Sequence, residues 1–93
     1  MIAINTVFAA VHLVTGICRG KIVSRKRPWP LMEARMLFIL AMSRSGASDD
    51  RIAAALKRNR STITKSRNSA ESYLGHSVTF SEKLSKIESC YGE

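Results

Sequence analysis

Apolar residues recur at three- and four-residue spacing along this chain and nowhere alternate with polar ones over a strand's length, so the pattern predicts an all-α protein. After Asn5, a candidate N-cap, Val7, Ala10, Val11 and Val14 mark one helix face, and Gly16 suits the left-handed position that ends it. Ile17 to Val23 is short, a helical turn carrying Ile22 and Val23 inward. Pro28-Trp29-Pro30 is expected to stop any helix and extend the chain, because each proline disfavours helical geometry in the residue before it. Leu31 to Ser45 is the strongest helix. Met36 to Met42 is apolar on every face, which predicts a central, buried position.

Gly46-Ala47 ends that helix, and Ser48 with Asp49-Asp50 starts the next: the hydroxyl accepts from orphan N–H groups and the acids complement the positive helix end. Ile52, Ala53 and Leu56 give a short amphipathic helix, and Lys57-Arg58-Asn59 makes a tight break. A second helix starts around Arg60 or Ser61, with Ile63, Ser66, Ala70 and Tyr73 or Leu74 inward and Gly75 as its stop. Thr79-x-x-Glu82 has the form of a capping box, opening a last helix over about residues 80–91. That helix carries Phe80, Leu84, Ile87 and Tyr91 on one face, either to close the core or to meet a second copy.

Ninety-three residues suffice for a single domain, residues 1–93, and the 45% apolar content argues for a packed core. The expected architecture is a compact helical bundle containing a helix-turn-helix over about residues 49–74. There is no room for an ATPase or a second module, and no apolar run long enough to span a bilayer. The N-terminus lacks the basic segment of a secretion signal, and its apolar run is broken at Asn5, Thr6 and His12, so it reads as mature sequence.

The net charge is +8, and its distribution along the chain is uneven. Residues 1–32 hold five cations and no acid, and residues 51–70 hold six and no acid, whereas residues 33–50 and 71–93 are net acidic. One such block is ordinarily a solvated face. Two acid-free blocks flanking a near-neutral segment point instead to a two-part contact with one polyanion.

In a helix-turn-helix the small residue, here Ala53, lets the helices cross closely, while Leu56 and Ile63 fill the angle between them. The second helix enters the major groove with its N-terminal residues toward base edges. Here those residues are Arg58, Asn59, Arg60, Ser61 and Thr62. Arginine reads guanine O6 and N7, asparagine reads adenine N6 and N7, and hydroxyls serve base or phosphate. Arg25, Lys26, Lys57, Lys65 and Arg67 are the candidate phosphate contacts.

Val11-x4-Gly16-Ile17-x4-Ile22-x-Ser24-x-x-Arg27-x6-Ala34-Arg35 precedes Ser48-x3-Ile52-x3-Leu56 and Arg58-x3-Thr62-Ile63 at a set distance. This string resembles the C-terminal DNA-binding domain (domain IV) of DnaA, the bacterial chromosomal replication initiator. The resemblance covers about residues 5–74 and includes nothing of that family's ATPase domain. It implies a helical bundle related to the Trp-repressor fold, with the arginine of a Ser-x-x-Arg loop in the minor groove and a recognition helix in the adjacent major groove. On that basis Arg27, in the basic loop over about residues 24–30, matches the minor-groove arginine and joins the base readers, Ser24 opens that loop, and Ser24 and Arg35 join the candidate phosphate contacts. Arg35 matches the arginine early in the central helix, and Arg58 and Thr62 match the ends of the Arg-Asp-His-Ser/Thr-Thr signature. Asn59, Arg60 and Ser61 depart from that signature, and the turn is one residue shorter, so the implied target differs from the usual origin box.

The expected partner is therefore double-stranded DNA, read by a cytoplasmic protein of bacterial or phage origin that regulates replication or transcription. No membrane, no small-molecule substrate, no cofactor and no metal are expected, and a homodimer is not predicted. His12 and His76 stand alone, Cys18 and Cys90 read as reduced thiols, Trp29 as packing under the loop and Glu33 as an acid at a helix N-terminus. With no carboxylate pair, nucleophile–base set or Gly-rich phosphate loop, the chain does not read as an enzyme. The competing expectation is a non-enzymatic interaction module, a protein adaptor or RNA binder, that uses the same surface.

Overall fold

The long apolar helix runs from Trp29 to Arg44 (α3) and forms the axis of the fold. A computed structural model describes residues 3–24 and 29–91. Five further helices among these residues surround α3: α1 (Ile4–Thr15), α2 (Arg19–Val23), α4 (Asp49–Leu56), α5 (Arg60–Leu74) and α6 (Val78–Tyr91). All five touch α3, and α1 also lies along α6. That encirclement explains the all-round apolar stretch: Leu37 through Met42 each expose 2% or less, because every face of the helix meets a neighbour. Burying each large side chain of this run is worth about 1.5–3 kcal/mol. The protein is an all-α bundle, as the periodicity predicts.

The amphipathic helices turn their expected faces inward. Val7, Ala10 and Val11 of α1 are buried, with Phe8 stacked on Phe38 at 4.1 Å between ring centroids. Ile52, Ala53 and Leu56 of α4 meet Ile63 and Ala70 of α5 in the same core. Phe80, Leu84 and Ile87 of α6 are buried against it too, so α6 closes the core of its own chain. Gly16 adopts the left-handed conformation that ends α1 (φ 77°), its N–H donating to His12 O.

Several local expectations are corrected. Asn5 does not cap α1, which begins at Ile4 with Ala3 in the cap position and no side-chain cap bond. The Asn5 carboxamide oxygen instead accepts from the Arg19 guanidinium at 2.6 Å, while that guanidinium lies 4.5 Å from the centre of the Phe8 ring. Trp29 and Pro30 form the first turn of α3 rather than an extended stop. Proline is tolerated there because first-turn N–H groups have no intrahelical acceptor. The capping box at Thr79 and Glu82 does not form. Ser77 accepts from the Phe80 N–H at 3.2 Å, and the helix begins at Val78.

Trp29 remains 47% exposed and meets Tyr73 of α5 edge-on at 5.3 Å, and Tyr73 meets Phe80 of α6 at 4.9 Å. Glu33 is not a solvated helix-end acid. It is buried, and its carboxylate accepts from Lys83 of α6 at 2.7 Å, as a carboxylate removed from water requires. Cys18 and Cys90 are exposed and unpaired.

Candidate nucleic-acid interface

The α4–turn–α5 unit is set by local chemistry at each boundary. Ser48 accepts from the Arg51 N–H at 3.3 Å and caps α4. Lys57 ends α4 in a left-handed conformation (φ 56°, ψ 45°), which brings the Arg58 N–H to Ala53 O at 3.0 Å. Two residues later the Asn59 side-chain oxygen accepts from the Thr62 N–H at 2.8 Å and starts α5. The turn between the helices is therefore three residues, Lys57 to Asn59.

Buried Leu56 and Ile63 pack within the unit, and a polar network holds its outer side. The Arg67 guanidinium donates to both oxygens of Asp49, at 3.0 and 3.2 Å, and the Thr64 hydroxyl donates to the same carboxylate at 2.8 Å. These bonds, the one from Arg67 foremost, hold the Asp49 carboxyl below its ordinary pKa and raise that of Arg67. Arg67 also lies 3.7 Å from Glu71.

With α5 oriented in this way, Arg60, Ser61, Thr62 and Lys65 are exposed on its N-terminal half, beside exposed Lys57 and Asn59. Arg60 has a loose ion pair, 3.9 Å to Asp50, with both side chains largely in water. The exposed surface of α5 continues through Asn68, Ser69 and Ser72, which are small, polar and uncharged. The last three residues escaped the motif-based reading, although their spacing from Ser61 and Lys65 places them on the same side of a helix.

Other expected contacts are engaged within the protein. Arg58 is half-buried: its Nη1 donates to Val23 O at 3.1 Å and Leu56 O at 3.0 Å, and its Nη2 to Ser24 O at 2.7 Å. Arg35 donates through Nε to Ile22 O at 2.7 Å and through Nη2 to Ser24 O at 2.6 Å. Ser24 itself is half-buried, its hydroxyl donating to Lys21 O at 2.7 Å. The structure thus separates the expected residues into an exposed group at the head of α5, a second group, Ser24, Arg35 and Arg58, at the end of α2, and Arg67, which is held by Asp49. Arg25, Lys26 and Arg27 lie outside the described residues.

The distribution of ion pairs sharpens the charge pattern. Arg44 pairs with Glu88 at 2.8 Å, Lys83 with Glu33, and Arg67 with Asp49. Among the described residues Lys21, Arg51, Lys57, Lys65 and Lys86 have no carboxylate within ion-pair distance. All but Lys86 belong to α2, α4, α5 or the turn. Among the described residues no three His, Cys, Asp or Glu side chains gather as a cation site, and no helix is long and apolar enough to cross a membrane. The chain matches no known protein family, no characterised protein and no solved structure.

Proposed function

We propose that this protein binds double-stranded DNA in a sequence-specific manner, as a stand-alone relative of the DnaA C-terminal domain that regulates replication or transcription. The observation that carries this reading is the exposed head of α5. Arg60, Ser61, Thr62 and Lys65 project there from a helix whose inner side is buried, beside cations that lack acidic partners. Arg60, Ser61 and Thr62 reach base edges in the major groove, while Lys57 and Lys65 hold phosphates. Asn59 adds its side-chain NH2 donors, while its side-chain oxygen already accepts from the Thr62 N–H. The resemblance adds Arg27 as a minor-groove probe, with Arg25 and Lys26 on the backbone.

The chemistry favours nucleic acid over a membrane surface. Among the described residues the large exposed apolar ones, Leu13, Trp29, Met32 and Val78, lie off α5, so its basic head is not interleaved with the apolar side chains an interfacial helix requires.

Selection of bound sequences from a random duplex pool tests the proposal, with enrichment of a defined site expected. With roughly four phosphate contacts, from Arg25, Lys26, Lys57 and Lys65, log K should fall with log salt with a slope of about −4. Salt-sensitive duplex binding without enrichment would leave a shape reader, and no duplex binding at all would favour a protein-docking module.

A further inference from the structure

The carbonyl oxygens of Ile22, Val23 and Ser24, which close α2, all receive donors from two arginines of distant segments. Carbonyls at a helix end have no intrahelical donor and concentrate negative partial charge, so a cation there is favourable. A guanidinium suits the task because its planar fork can reach two acceptors at once, which an ammonium does less well. Arg58 does more than cap α2. Its Nη1 is shared between Val23 O and Leu56 O, the last carbonyl of α4, so one side chain joins the ends of two helices. Those two helices wall a groove of about 450 Å³ lined by Arg19, Gly20, Val23, Ala55 and Lys57.

We propose that Arg35 and Arg58 are positioning residues for duplex binding, clamping the end of α2 against α3 and the α4–α5 turn so that the cations of α2 and α5 form one rigid array. This rests on the DNA-binding reading above and refines it, for it removes Arg58 from the base readers and gives it a different task. With the clamp closed, the separation of the α2 and α5 cations is set before DNA arrives, and so is the spacing of the phosphates they meet. Without it, that separation must be fixed during binding, and the ordering cost weakens every sequence alike.

The test compares the full-length wild type with Arg58→Ala and Arg58→Lys by two measurements. Amide hydrogen exchange is followed residue by residue, and base preference is profiled on the duplex that the wild type selects from a random pool. In Arg58→Ala the Ile22 and Ser24 amides should exchange about tenfold faster, with the α3 and α6 core amides unchanged. Affinity for the selected duplex should fall by about tenfold with preference retained at every base position, and Arg58→Lys should recover part of both losses. Loss of preference at a single base pair with unchanged α2 exchange would overturn the proposal and restore Arg58 as a direct reader. If Arg58→Ala does not fold, Arg58→Lys and Arg35→Lys carry the same comparison. A wild type that selects no duplex fails the DNA reading itself, before any variant is compared, and this proposal with it.

Discussion

Lys57 sits where stability and the proposed DNA contact make opposite demands, and Lys57→Gly separates the two. Among the described residues it is the non-glycine residue with a positive φ. It occupies the position after α4 where its own N–H meets Ala54 O at 3.4 Å and the Arg58 N–H meets Ala53 O, a pairing that glycine usually hosts. A Cβ costs roughly 1–2 kcal/mol in this conformation. The freedom glycine gains in the unfolded chain takes back roughly 0.5–1 kcal/mol. The net expectation is about 0.75 kcal/mol of added stability, a rise in Tm of roughly 3–6 °C for a domain of this size. The side chain is exposed and has no carboxylate partner among the described residues, so no lost contact offsets the gain. The same change removes one cation from the interface, and the slope of log K against log salt should become shallower by about 0.9. Thermal melts by circular dichroism and duplex titrations at several salt concentrations measure the two effects. Lys57→Ala is the control, since it loses the charge but keeps the Cβ. A glycine variant no more stable than the alanine variant refutes the backbone argument, and an unchanged salt slope refutes the phosphate contact.

Other substitutions probe the remaining parts. Asn59→Ala should cost about 0.5–2 kcal/mol in urea denaturation through the lost cap, whereas Asn59→Asp keeps the accepting oxygen and most of the stability but weakens duplex binding; equal destabilisation by both changes would contradict the cap. Arg60→Ala should relax preference at one base position at a cost of ~1–3 kcal/mol, while Lys65→Ala weakens all duplexes and flattens the salt slope by ~1; identical effects on matched and scrambled sites would argue against direct readout. The Asp49 carboxyl is held below its ordinary value of 3.8 by Arg67 and Thr64. Its stabilising contribution is therefore full above about pH 4 and lost as the pH falls through the lower folded-state value. Asp49→Asn should accordingly flatten the acid limb of the Tm–pH curve, and parallel acid limbs would count against the network. Phe38→Ala empties a site that is fully buried against Phe8 and should cost ~3–5 kcal/mol, a large part of the ~5–15 kcal/mol that holds a domain folded, as measured by the urea midpoint.

The legible parts of this protein are those governed by neighbours in the chain. The all-round apolar run of Met36 to Met42 announced the central helix, because such a helix is stable only when surrounded. Ser48 before two aspartates marks the start of α4, and the break at Lys57 to Asn59 puts the start of α5 at Arg60 or Ser61, of which Arg60 is found. The last helix was located but not its cap. Ser77 and Thr79 are both capping residue types, and it is Ser77 whose hydroxyl oxygen accepts from the N–H of buried Phe80. At the candidate site, the exposed head of α5 was likewise legible, since Ile63 and Ala70 define its inner side.

The roles of the long polar side chains were not legible. Arg58 was expected among the base readers and Arg35 and Arg67 at phosphates, yet their donors meet Val23, Ser24, Ile22 and Asp49, groups 11 to 35 residues away in sequence. Glu33 finds Lys83 fifty residues on. A guanidinium satisfies carbonyl, carboxylate or phosphate with similar geometry, so its chemistry does not name its partner. By itself, the sequence determined the helices, the direction each apolar face takes and the excess of positive charge, all products of short-range periodicity and capping. Only the tertiary structure decided which cations are neutralised within the fold and which remain for a partner, because a charge is paired by whatever packing brings within about 4 Å.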